Sequence, residues 1–182
     1  MILNSSNIQH YKVIDNFLPL EVFTDLQNLI LSKNFAWFHG KYISYEDQKH
    51  ENESYNSFFF HECYNGNIPI TDLFDKLVPI LNNYIQPRVL IRIKVNFYTP
   101  CSKVTDHAKH VDFEFPHQAA ILCLNTCDGY TKLDDGTRID SVANRFIMFD
   151  GSKLHNSTST SQWDGAKGRF NINFNYLWFQ LN

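Results

Sequence analysis

Residues 169–176 read RFNINFNY, and the alternation in that stretch decides how the chain is expected to fold. Successive side chains of an extended strand point to opposite sides. Arg169, Asn171, Asn173 and Asn175 therefore share one face, and Phe170, Ile172, Phe174 and Tyr176 share the other. The same alternation runs through 89–98 (VLIRIKVNFY), where Leu90, Arg92, Lys94, Asn96 and Tyr98 oppose Ile91, Ile93, Val95 and Phe97. Residues 119–124 and 145–149 are also strand-like, and the last strand pattern extends from Arg169 to Phe179. Asp-Gly pairs at 128–129, 135–136 and 150–151 supply turns between them. Many short strands at close intervals predict a barrel or jelly roll. A polar row turned into that barrel, backed by an apolar row, suits a strand lining a pocket.

The N-terminal half has a different texture. Residues 11–17 read as a short strand. Residues 19–32 read as a helix with Val22, Phe23, Leu26, Leu29 and Ile30 on one apolar face. A second helix is predicted over 71–84, capped by Thr71 or Asp72 and carrying Leu73, Phe74, Leu77, Ile80, Leu81 and Tyr84 at three-to-four spacing; Pro79 should kink or break it. Residues 35–60 are polar and aromatic with weak periodicity, and Gly66-Asn67 signals a turn. The fold class is therefore mostly β with flanking α (α+β), a jelly-roll core buttressed by N-terminal helices. One domain is expected across 1–182, with 1–87 supplying helical support and substrate loops and 88–182 the core.

Composition agrees. Sixteen Phe, nine Tyr and three Trp favour a β-rich aromatic interior over a helical bundle. A formal charge of −3 argues against a broad basic face that tracks a phosphate backbone, so nucleic acid is a disfavoured partner. Cys63, Cys101, Cys123 and Cys127 form no CxxC pair and read as reduced thiols. The first ten residues lack the pattern of a signal peptide, and no run approaches the ~18 apolar residues of a membrane span. A cytoplasmic protein is expected.

Chemistry concentrates in His110-Val111-Asp112, followed by His155 forty-five positions on and Arg169 fourteen beyond that. If 108–113 form a strand, His110 and Asp112 share a face, where an imidazole and a carboxylate can grip one metal ion. A third ligand nearby would complete a facial triad, which leaves open positions for a bidentate co-substrate and O₂. Arg169 is the cation such a site needs for the remote carboxylate of a 2-oxo acid; Lys167, of the same parity, competes unless Gly165 and Gly168 place it in a turn. His107 has no carboxylate two positions on. His117 is read as structural or supporting, and His10, His39, His50 and His61 have no usable partner spacing.

Together HVDFEFPHQAAILCLNT (110–126), NRFIMFDGSKLH (144–155) and GRFNINFNY (168–176) resemble the double-stranded β-helix core of Fe(II)/2-oxoglutarate-dependent dioxygenases, in the small prolyl-4-hydroxylase-like branch found in phages and bacteria. The resemblance covers roughly 88–178. It implies Fe(II) held by His110, Asp112 and His155. It implies 2-oxoglutarate chelated to that iron with its C5 carboxylate on Arg169, with Asn96 and Tyr98 contributing hydrogen bonds and Asn171 and Asn173 lining the pocket. O₂ is the second co-substrate, and ascorbate is an accessory that the resemblance allows. The implied reaction is hydroxylation of a C–H bond with release of succinate and CO₂. The implied substrate is a prolyl or other amino-acid side chain, met as a peptide, a protein or a free amino acid. Two alternatives stay open: a nucleic-acid demethylase on the same scaffold, and a cupin-like metal-binding protein, which would usually offer three histidines and a glutamate.

Overall fold

The computed structural model describes residues 11–43, 58–162 and 167–178. Alternating sequences become strands where both faces can be buried. The longest are β5 (Val89–Tyr98) and β10 (Arg169–Leu177). β10 pairs with β5 on one side and with β6 (Gln118–Cys123) on the other. Around this centre an antiparallel sheet is built in the order β1-β9-β6-β10-β5-β3-β2, with β4 paired to β3. Here β1 is Tyr11–Ile14, β2 Phe38–Gly40, β3 Phe58–Asn65, β4 Ile68–Pro69 and β9 Phe146–Asp150. Strands from outside 88–182 thus supply both edges of the sheet. The β3–β4 hairpin turns at Gly66-Asn67, where both residues take the positive φ (56° and 69°) that a tight hairpin turn demands.

One face of this sheet is apolar. Ile93, Val95, Ala120, Leu122, Phe146, Met148, Phe170, Ile172, Phe174 and Tyr176 are buried there against two helices, α1 (Leu20–Ile30) and α2 (Leu73–Ile80). Phe23, Leu26 and Ile30 at 3–4 spacing form the buried stripe of α1. The stripe is narrower than expected: Val22 and Leu29 are 37% and 42% exposed. α2 begins one residue after Asp72, which makes no side-chain cap, and the Thr71 hydroxyl is bonded to His61 Nε2 instead (2.8 Å). The expected break at Pro79 comes as a change of winding, from α-helix to a π-helical turn over Leu81–Ile85.

The opposite face is covered by a smaller layer. β7 (Tyr130–Lys132) and β8 (Arg138–Asp140) form a hairpin, and single bridges Lys132↔Asn156, His110↔His155 and Asp106↔Thr158 add the 155–160 and 106–110 segments beside it. The space between the two layers is the interior of a jelly roll.

Two readings need correction. Residues 108–113 are not a strand. His110 and His155 exchange both backbone hydrogen bonds (2.9 and 3.0 Å), but the Asp150–Lys153 turn removes Lys153 from the ladder, and the Asp112 N–H goes to Gly151 O instead (3.2 Å). The weakly periodic 35–60 stretch contains β2 and the start of β3, whose residues Phe58-Phe59-Phe60 hide the alternation because aromatic rings pack against partners on both sides of the strand. The predicted end of the last strand at Phe179 and the turn residue Gly165 lie outside the described residues, as do His10 and His50.

Candidate metal centre and co-substrate pocket

Register places the polar rows of β5 and β10 side by side: Tyr98 faces Arg169, Asn96 faces Asn171, Lys94 faces Asn173 and Arg92 faces Asn175. All turn toward the smaller layer. From that layer come His110 and His155, fixed to one another by their backbone bridge, and Asp112, two residues on. Their candidate ligand atoms lie within 4.8 Å of one another. That is close enough for a first-row ion, with bonds of about 2.0–2.2 Å, after small side-chain rotations.

Local hydrogen bonds prepare these side chains for a cation. His155 Nδ1 lies 2.9 Å from Lys153 O and His110 Nδ1 3.3 Å from Ala108 O. A carbonyl only accepts, so both Nδ1 atoms carry the proton and both Nε2 lone pairs are free to ligate. Burial lowers the pKa of His110 to about 4, helped by the neighbouring His155, which keeps its imidazole neutral. Asp112 is held by three donors. Arg92 Nη2 reaches Oδ1 (2.8 Å), and Asn175 Nδ2 and Asn173 Nδ2 reach Oδ2 (2.8 and 3.3 Å). Burial alone would raise its pKa. The Arg92 charge and the Asn175 amide outweigh burial and hold the carboxyl well below the usual carboxylate range. An anionic oxygen beside two imidazoles is a donor set suited to a divalent first-row metal.

At the other end of the row lies Arg169, 0% exposed. Its Nε donates to Ser141 Oγ (2.8 Å), Nη2 to Thr131 Oγ1 (2.9 Å) and Nη1, weakly, to Thr158 O (3.4 Å). Every acceptor is neutral, and among the described residues no carboxylate pairs with it. Burying a guanidinium without an anion costs free energy that a bound carboxylate would recover. Room for this side chain depends on Gly129, where a Cβ would sit 2.7 Å from Arg169 Cδ. Lys167 takes positive φ (48°) and is exposed, away from the pocket.

The remaining candidates lie along the same row. Tyr98 is buried, bonded to the Ser157 side chain, with its ring 5.5 Å from the Arg169 guanidinium carbon. Asn96 Nδ2 donates to Asn171 Oδ1 (3.0 Å), leaving the buried Asn96 Oδ1 without a donor. Asn171 and Asn173 thus face protein partners, Asn96 and Asp112 respectively. His107 is buried against Tyr98 and bonded to Ser157 (2.8 Å). His117 is buried, with Nδ1 on Phe115 O (2.8 Å). Sequence reading missed Arg92 and Asn175 as partners of Asp112, and Ser141, Thr131 and Gly129 as the cradle of Arg169. Parity already placed Arg92 and Asn175 in the right rows. The cradle residues come from turns and the smaller layer, where period 2 gives no signal.

No protein-family model matches this sequence, and no curated protein matches it. Solved structures do match. The chain is similar to a prolyl hydroxylase from Trichoplax adhaerens, in complex with a hypoxia inducible factor oxygen degradation domain peptide fragment (TM-score 0.65, 15% identity, 94% of this chain and 84% of that one). It is also similar to an oxidoreductase of the 2OG-Fe(II) oxygenase family from Burkholderia pseudomallei (TM-score 0.66, 9% identity, 92% and 84%). The fold is that of the 2OG-Fe(II) oxygenases. A viral collagen prolyl hydroxylase from Paramecium Bursaria Chlorella virus-1, in complex with 2OG, shares this oxygenase fold over 96% of this chain and all of its own length (TM-score 0.58, 15% identity).

Proposed function

We propose that this protein is an Fe(II)- and 2-oxoglutarate-dependent dioxygenase that hydroxylates a C–H bond of a prolyl or other amino-acid side chain. The observation that carries the reading is one polar strand row with a candidate metal triad beside one end and, at the other, a fully buried guanidinium that has no anion among the described residues. Such a pair of groups is complementary to a dicarboxylate with a keto group beside one carboxylate. Bound Fe(II) and 2-oxoglutarate, with O₂, supply oxidative decarboxylation to succinate and CO₂ coupled to hydroxylation. The chain's own residues do the positioning. His110, Asp112 and His155 ligate, and Arg92, Asn173 and Asn175 keep Asp112 ionised and aimed. Arg169 receives the far carboxylate while Ser141 and Thr131 fix its plane. Rings of Tyr98, Phe58, Phe113 and Phe149 wall the interior and limit water near the reacting carbon.

The similar structures from Trichoplax adhaerens and the chlorella virus carry prolyl hydroxylase names, which supports an amino-acid residue as the substrate class. The test is succinate release from Fe(II)-loaded protein offered 2-oxoglutarate with peptides and free amino acids, with ascorbate present as reductant. Stimulation by at least one of them is expected. Absence of succinate with every candidate, from protein that binds Fe(II), would overturn the reading.

A further inference from the structure

Three cations line the site face of β5 and β10: Arg92, Lys94 and Arg169. Two of them have an assigned anion, since Arg92 is paired with Asp112 and Arg169 is proposed above to receive the far carboxylate of the co-substrate. Lys94 has none. It sits between Asn173 on β10 and Glu62 on β3, and its Nζ lies 5.4 Å from the centre of the Phe58 ring. Glu62 accepts instead from Asn65 Nδ2 (3.0 Å), and both Asp112 oxygens are taken. Among the described residues no acceptor reaches the Lys94 amine. On the dioxygenase reading the metal would take the near carboxylate of 2-oxoglutarate and Arg169 the far one, so the co-substrate would leave this cation unanswered too. Burial and the Arg92 charge pull the Lys94 pKa down to about 8 against the opposing charges of Asp112 and Glu62, neither of which bonds to the amine, and an anion in direct contact would raise it.

We propose that Lys94 is the substrate-recognition cation of this site and that the substrate carries a carboxylate that Lys94 binds while the C–H bond to be hydroxylated faces the metal. This rests on the dioxygenase reading. The carboxylate can be the α-carboxylate of a free amino acid or the side chain of an acidic residue within a peptide. Neighbouring Phe58 stacks on Tyr98 and offers an apolar wall for the aliphatic part of such a molecule.

Calorimetry on the full chain loaded with Mn(II) and 2-oxoglutarate, without O₂, separates these sources. One arm compares free L-amino acids with their α-carboxamides. The other compares acetylated, amidated peptides containing Asp or Glu with their Asn or Gln counterparts. In one arm an acid should bind roughly tenfold or more tightly than its amide, the scale of one charge-assisted hydrogen bond. Lys94→Met should abolish that preference and Lys94→Arg should restore most of it; with Fe(II) and O₂, the KM for the acid should rise in Lys94→Met. The proposal is overturned by wild-type protein that fails to prefer any acid, by a preference that survives Lys94→Met, or by a Lys94→Met effect confined to the KM for 2-oxoglutarate. Selective binding of an acid without succinate release would uphold Lys94 as a carboxylate receptor while overturning the dioxygenase reading.

Discussion

The two faces of β10 are buried to the same degree and for opposite reasons. Phe170, Ile172, Phe174 and Tyr176 disappear against the helices, where removal of apolar surface from water stabilises the fold. Arg169, Asn171, Asn173 and Asn175 are equally hidden, yet their burial costs free energy that hydrogen bonds only partly offset. A strand that keeps such a row is organised around something the row binds. The apolar face should therefore govern stability and the polar face ligands, with little crossover.

The largest effect belongs to the apolar face. Phe174→Ala should cost about 3–5 kcal/mol, read as a lowered chemical-denaturation midpoint, because the fully buried ring leaves a cavity between sheet and helices. In the site that the polar face lines, Asp112→Ala should weaken Mn(II) binding roughly a hundredfold or more, measured by calorimetry, because the anionic ligand of the triad is lost. Arg169→Lys should raise the KM for 2-oxoglutarate roughly ten- to a hundredfold, since an ammonium lacks the two-pronged match to a carboxylate, and Arg169→Ala should be worse.

A fourth effect sharpens the contrast through pH. His110 falls from an ordinary 6.5 to about 4 in the folded protein. The unfolded chain therefore takes up the proton first, and metal-free protein loses stability as pH drops from about 6.5 toward about 4. The loss should be on the order of 1 kcal/mol by about pH 5.5, and His110→Gln should flatten it. Asp112 has a depressed folded pKa, so its contribution is present above the ordinary carboxylate range and disappears only at lower pH. Lys167→Ala should be the smallest, within about 0.5 kcal/mol in stability and without effect on the KM for 2-oxoglutarate, because that lysine is exposed.

Period 2 made both long strands legible, and with them the inward direction of Arg169 and the shared face of Arg92, Lys94, Asn96 and Tyr98. It failed where pairing is not regular. His110 and Asp112 converge through one bridge and a hydrogen bond across a turn, a geometry that mimics a strand only at the two residues that matter. β3 was obscured because Phe58, Phe59 and Phe60 all find aromatic partners, on both sides of the sheet. The Gly129 contact that admits Arg169 depends on chain segments forty residues apart, which no local pattern reports.

The proposed site holds a metal between His110, Asp112 and His155 beside one end of the polar row and a dicarboxylate's far end on Arg169 at the other. Calorimetric titration of 2-oxoglutarate into Mn(II)-loaded protein without O₂ tests it most directly. One molecule should bind per chain, with affinity lost when Mn(II) is withheld and also lost in Arg169→Ala. Binding that is indifferent to the metal, or unchanged in Arg169→Ala, would contradict it.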